Sequence, residues 1–211
     1  MLTTTIRADQ TSAESTGTNE FDHAADRTCI ASFLTELGWM AVAWRDDVLV
    51  GNSFGHASRR AAELVIACTP GLPEAFCRFD VENQADELPA WVADLIDRLE
   101  RFAIGEPVEF ANVPVAQDHL TPFGRKVAAA CRRITWGQSR TYGELAIECG
   151  SSGAARAVGS VMAKNRYPLI VPCHRVLAAG GALGGYSAPE GLKMKRRLLE
   201  MESSSWPRRA K

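Results

Sequence analysis

The 211-residue chain is 46% hydrophobic and 23% charged, the make-up of a soluble globular protein, and it lacks any apolar run near the ~20 residues of a membrane span. Its six cysteines form no CxxC pair and stand away from His23, His56 and His119, which argues against a structural metal and for reduced thiols in a cytoplasmic protein. The net charge of −1 divides unevenly, with 8 Arg and Lys against 20 Asp and Glu in residues 1–120 and 16 against 5 in residues 121–211.

Such a basic second half suits a polyanion, DNA or RNA, because phosphate neutralisation supplies most sequence-independent affinity. Mutual attraction of the two halves is the other reading. In chain order, residues 1–26 are polar, lack the apolar core of a signal peptide and are expected to be a disordered tail. Residues 27–105 read as a small α/β domain. The runs GWMAVAW (38–44) and DVLVGNSFG (47–55), beside Asp46–Asp47, predict a hairpin. ASRRAAELVIAC (57–68) predicts a helix with Ala61, Leu64, Val65 and Cys68 inward. DELPAWVADLIDRLERFAIG (86–105) predicts a second, with a buried stripe of Trp91, Leu95, Leu99 and Phe102. No residue of this domain has the look of catalysis, and the turn-rich stretch 106–120 reads as a linker.

The basic half, 121–203, opens on TPFGRKVAAACRRI, where Thr121 is a good N-cap and Pro122 suits the first helical position. Val127, Ala128, Cys131 and Ile134 make its inward face, so Cys131 is a core thiol. In SRTYGELAIECGSSGAARAVGSVMAKN, a short helix (143–148) ends at Gly150. Ser151 or Ser152 can cap a second, from about 153 to 164. Two helices about a Gly-containing turn describe a helix-turn-helix. The second helix is nearly all small or apolar with Arg156 as its one long polar side chain. It offers little for reading base edges but permits close backbone approach to DNA. Residues 204–211 form a basic tail. LIVPCHRVLAAGG (169–181) then sets Cys173 beside His174, although neighbours on an extended segment point to opposite sides and a nucleophilic cysteine usually takes its histidine from elsewhere.

PCHRV (172–176), with RAVGSVMAKN before it and GGYSAPEGLKMKRRLLEME after it, resembles the O6-alkylguanine-DNA alkyltransferase (methylated-DNA–protein-cysteine methyltransferase) family over roughly residues 105–203. The acidic region resembles it only loosely, through VAWRDDVLVGNSFG. The resemblance implies a mixed α/β (α+β) fold, a small amino-terminal α/β domain followed by a helical domain with a helix-turn-helix. It implies a monomeric repair protein that flips O6-alkylguanine out of double-stranded DNA and moves the alkyl group irreversibly onto Cys173, in one turnover and with no cofactor. His174 would take the thiol proton through a water, with Glu202 orienting the imidazole; Glu200, on another helical face, is the less suited carboxylate. Arg156 resembles the finger that fills the gap left by the flipped nucleotide, Tyr142 the tyrosine that presses on the adjoining phosphate, and Asn165 the hinge asparagine. Met162, Pro168 and Tyr186 would line the guanine pocket, while Ser187 and the backbone around Cys173 and Val176 would bond the purine edge.

Taken without the resemblance, the same residues have plainer readings. Arg156 is then a phosphate-contacting arginine, Tyr142 a packed aromatic, Asn165 a helix C-cap and Cys173 a buried thiol beside a solvent-exposed histidine. Arg175 is expected to form a structural ion pair. The loop after Ser187, with Ala188 and Pro189 where glycines often stand, is two residues longer than the shortest family versions. A binding module that marks alkylated bases, or a thiol hydrolase, are the competing functions; the retained cysteine weighs against the first, and the missing oxyanion signature against the second.

Overall fold

The computed structural model describes residues 27–73 and 75–203. The tails expected at 1–26 and 204–211 lie outside these. Four strands, β1 (Cys29–Thr35), β2 (Gly38–Arg45), β3 (Val48–His56) and β4 (Cys77–Asp80), form one sheet in the order β3-β2-β1-β4. The first three are antiparallel neighbours, and β4 runs parallel to β1. The predicted hairpin is β2–β3, turning at Asp46 with φ of 50°. The other hairpin, β1–β2, needs Gly38: φ there is 100°, and a Cβ would stand 2.9 Å from the His56 carbonyl oxygen.

Side chains alternate across the sheet as a period of two requires. Ile30, Ala41, Ala43 and Val50 face helix α1 (Arg59–Ala67), while Ala31, Phe33, Met40, Val42 and Leu49 join the larger core with α2 (Ala90–Ala103). Helix α1 is rotated from the face its sequence predicts. Ala62 and Ile66 are buried, whereas Leu64, Val65 and Cys68 are exposed. The rotation is fixed by Glu63, which accepts from Ser32 (2.8 Å) and Arg78 (3.2 Å), and by small sheet residues that admit only a narrow ridge. In α2 the buried stripe is Val92, Leu95, Ile96, Leu99, Phe102 and Ala103; Trp91, expected inside, is half-buried one position away.

The basic half supplies α3 (Pro122–Arg132), α4 (Tyr142–Glu148), α5 (Ala155–Ala163), α6 (Leu192–Glu202) and a two-residue parallel pair, β5 (Arg140–Thr141) with β6 (Val176–Leu177). Thr121 caps α3 by accepting from the Gly124 N–H, with Pro122 at its start. Val127, Ala130 and Cys131 are buried, as is Ile134 just beyond; Ala128, expected among them, is half-buried. The stretch 106–120 is packed: Val108, Phe110 and Val113 are buried, and Arg132 donates to the carbonyls of Phe110, Ala111 and Val113. One apolar cluster therefore continues from the sheet through α2 into α3, α5 and α6. Among the described residues no helix is long and apolar enough to cross a membrane, and no group of His, Cys, Asp and Glu is arranged to hold a metal ion.

Candidate active site

The helix-turn-helix is α4 and α5. A capping box starts α4, with Thr141 Oγ1 accepting from the Glu144 N–H and Glu144 accepting from the Thr141 N–H. Gly150 and Gly153, both at positive φ, turn the chain. Helix α5 has Ala154 at its N-cap and no side-chain cap bond, so neither Ser151 nor Ser152 serves the role expected of it. Val158 and Met162 hold α5 to the core, and Arg156 projects to solvent from its first turn.

Asn165 follows α5 and uses its whole amide. Its Nδ2 donates to the Val171 carbonyl (2.8 Å) and to Cys173 Sγ (3.2 Å), and its Oδ1 accepts from the Tyr167 N–H (3.0 Å). Cys173, His174 and Arg175 form a 3₁₀ turn. That turn resolves the difficulty of adjacency, because neighbouring side chains diverge by about a third of a turn instead of pointing opposite ways. Cys173 faces the clefts, 7% exposed, while His174 is wholly buried behind it. His174 Nε2 meets Glu202 Oε1 at 2.7 Å, and the edge of the Phe102 ring steadies the imidazole at 6.2 Å between centroids. Arg175 grips the same carboxylate with two nitrogens, at 2.8 and 3.0 Å, in the ion pair expected of it. Glu200 is half-buried on another face of α6.

The electrostatics assign states to these groups. Burial pushes the Cys173 thiol up, opposed by the Asn165 amide and the Lys195 ammonium, so it rests protonated and needs a base. Burial lowers His174 despite its bond to Glu202, which keeps the ring neutral. Burial would raise Glu202, but bonds from His174 and Arg175 outweigh it and hold the carboxyl below its usual value. An ionised Glu202 accepts a hydrogen bond from the Nε2–H, which keeps the ring proton on Nε2 and leaves the lone pair on Nδ1, a buried atom with no hydrogen-bond partner among the described residues.

Lys195 is a member of the site that the sequence reading missed. It is fully buried, donates to the carbonyls of Val176 (2.6 Å) and Leu183, and lies 5.9 Å from the ring centres of both Tyr142 and Tyr186. Burial lowers its pKa to about 8. The signal was present: Lys195, Leu198, Leu199 and Glu202 follow i, i+3, i+4, i+7, the inward stripe of α6.

Two clefts meet at Cys173. One, of about 700 Å³, is lined by Tyr142, Arg156, Met162, Tyr186 and Ser187. Gly184 closes against the Tyr142 ring, where a Cβ would stand 3.1 Å away, at φ of 67°. Tyr186 Oη is buried there without a protein partner among the described residues. The other cleft, of about 960 Å³, lies towards β3 and α1 and is lined by Asn165, Pro168 and again Tyr186 and Ser187. Pro168 thus lines a different cleft from Met162. Val176 lines neither cleft; it is buried, with its carbonyl taken by Lys195.

Residues 122–204 match the family model for the DNA-binding domain of 6-O-methylguanine DNA methyltransferase. The chain is similar to the methylated-DNA–protein-cysteine methyltransferase of Mycobacterium tuberculosis, 42% identical over 120 residues, which covers 56% of this chain and 70% of that protein. The Sulfolobus acidocaldarius protein of the same name is 38% identical over 127 residues, covering 60% and 76%. The fold matches the crystal structure of Mycobacterium tuberculosis OGT in complex with DNA at a TM-score of 0.63 and 29% identity, covering 83% of this chain and 92% of that one.

Proposed function

The chain belongs to the methylated-DNA–protein-cysteine methyltransferase family, and from that premise we propose that it repairs O6-alkylguanine in double-stranded DNA by moving the alkyl group onto Cys173. The observation that carries the assignment of roles is the buried run of contacts Asn165–Cys173 and His174–Glu202 at the floor of a cleft whose lip holds Arg156. Residues 121–203 bring the helix-turn-helix and the nucleophile; residues 27–105, joined through 106–120, support them.

In the reaction we derive from this geometry, the helix-turn-helix docks on the duplex. Arg156 occupies the space of the everted nucleotide, since O6 cannot be reached within the stack. Tyr142 steadies the neighbouring phosphate. The purine enters the cleft between Met162 and Tyr186, with Ser187 near its edge. The Cys173 proton passes through a water to His174 Nδ1, and Glu202 stabilises the imidazolium. The thiolate, favoured by the Asn165 amide and by Lys195, attacks the alkyl carbon. The C–O6 bond breaks, its electron pair stays with guanine, and the proton once on the thiol neutralises the base. The product is a thioether, a poor leaving group, so each molecule acts once as a monomer without a cofactor. Incubation with a duplex carrying O6-methylguanine, followed by intact mass and a peptide map, tests this. A single methyl on the Cys173 peptide, saturating at one equivalent, is expected. Binding without a mass gain would favour a damage-marking module.

A further inference from the structure

The sulfur is aimed by Asn165, and Asn165 sits at one end of a turn that closes on Cys173 at the other. Within that turn Leu169 has φ of 71°, the left-handed region that a residue with a Cβ rarely adopts. It persists only where its surroundings over-determine it. The Val171 N–H bonds the Tyr167 carbonyl and the Cys173 N–H bonds the Val171 carbonyl, both at 2.7 Å, so the whole turn moves with the peptide planes near Leu169.

Those planes are gripped from the other half of the chain. Asn52 lies in β3, an edge strand with main-chain groups to spare, and is 5% exposed. Its backbone N–H donates to the Arg166 carbonyl at 2.9 Å, and its side-chain Nδ2 donates to the Pro168 carbonyl, also at 2.9 Å. The second bond fixes the peptide leading directly into Leu169. Two further ties, Arg166 to the Pro70 carbonyl and Tyr167 to the Ala116 carbonyl, each at 2.7 Å, connect the same segment to its surroundings without touching that peptide. We propose that Asn52 is a positioning residue for alkyl transfer, holding the 166–169 turn so that Asn165 presents its amide to the Cys173 sulfur.

This inference rests on the functional reading above, and its test separates the two. Asn52→Asp keeps the size and the backbone donor but removes the side-chain donor; Asn52→Ser is an uncharged second variant. Single-turnover transfer is measured at saturating O6-methylguanine duplex, together with the duplex Kd and the rate of reaction with free O6-benzylguanine base. For both variants the transfer rate is expected to fall on the order of 10- to 100-fold, the effect of a reacting atom set wrongly by about an ångström. The Kd should stay unchanged, because Arg156 and α5 are untouched. The free base should lose as much as the duplex, because the fault lies at the sulfur. If either variant, folded by its melting curve, transfers at the wild-type rate, or if the whole loss is in Kd, the positioning role is overturned. If the wild-type protein itself transfers nothing, the functional reading falls and the inference with it.

Discussion

Cys173 and Cys131 are both buried thiols pushed up by desolvation, yet only one is placed to react. Cys131 is sealed in α3, whereas Cys173 has an amide donor on its sulfur, a neutral imidazole behind it and a cleft before it. Lys195 adds a positive charge that favours the thiolate. Replacing it, as Lys195→Met, is expected to raise the Cys173 pKa and slow alkylation by iodoacetamide at pH 7, roughly tenfold for each unit regained. An unchanged rate would remove Lys195 from the site's electrostatics. In the proposed function Arg156 acts on the DNA and not on the sulfur, so Arg156→Ala should cost ~10- to 100-fold on duplex substrate, the scale of a few kcal/mol of flipping energy, and little on the free base. Equal losses on both substrates would show that Arg156 has no flipping role.

Helices α2 and α6 do the positioning, and they differ in how plainly their sequences say so. Leu99 is fully buried at the centre of the α2 stripe, and Phe102 one turn on touches the His174 ring. Leu99→Ala should destabilise by roughly 2–5 kcal/mol in chemical denaturation. A cost under one kcal/mol would mean that this core relaxes freely. The stripe of α2 was legible because its apolar residues recur at helical spacing, and α3 was legible through Thr121 and Pro122. Helix α1 was visible as a helix but not in its rotation, because Glu63 decides that through partners on β1 and β4 distant in sequence. Strand β1 escaped because CIASFLT lacks a turn signal ahead of it. Strand β4 escaped because CRFD is short and half-exposed. PCHR, Arg156 and Tyr142 carried the site. Lys195 and Asn52 did not stand out, because a lysine in KMKRR looks solvated and an asparagine in a strand looks like a turn residue. Only tertiary contacts give them roles.

At the scale of the molecule, the two halves differ in charge but share one core, and the acidic half holds the active turn through Asn52. The basic half should give DNA binding a steep salt dependence, with log K falling by about 0.9 per log unit of salt for each phosphate neutralised. Acid should destabilise the fold. His174 and Glu202 both have folded pKa values below their ordinary ones, so the unfolded chain binds more protons. Their contribution is present at neutral pH, begins to be lost below the ordinary imidazole value of about 6.5, and falls further through the carboxylate range.

The central claim is that a neutral His174, held by an ionised Glu202, removes the proton from Cys173, and the pH dependence of the single-turnover transfer rate on saturating O6-methylguanine duplex tests it most directly. The account predicts a rate that rises from acid through one ionisation below about pH 6.5, is level through neutrality and falls as Lys195 loses its charge near pH 8, with Glu202→Gln slower across the plateau. A rate that keeps climbing into the range of free thiols, indifferent to Glu202→Gln, would contradict it.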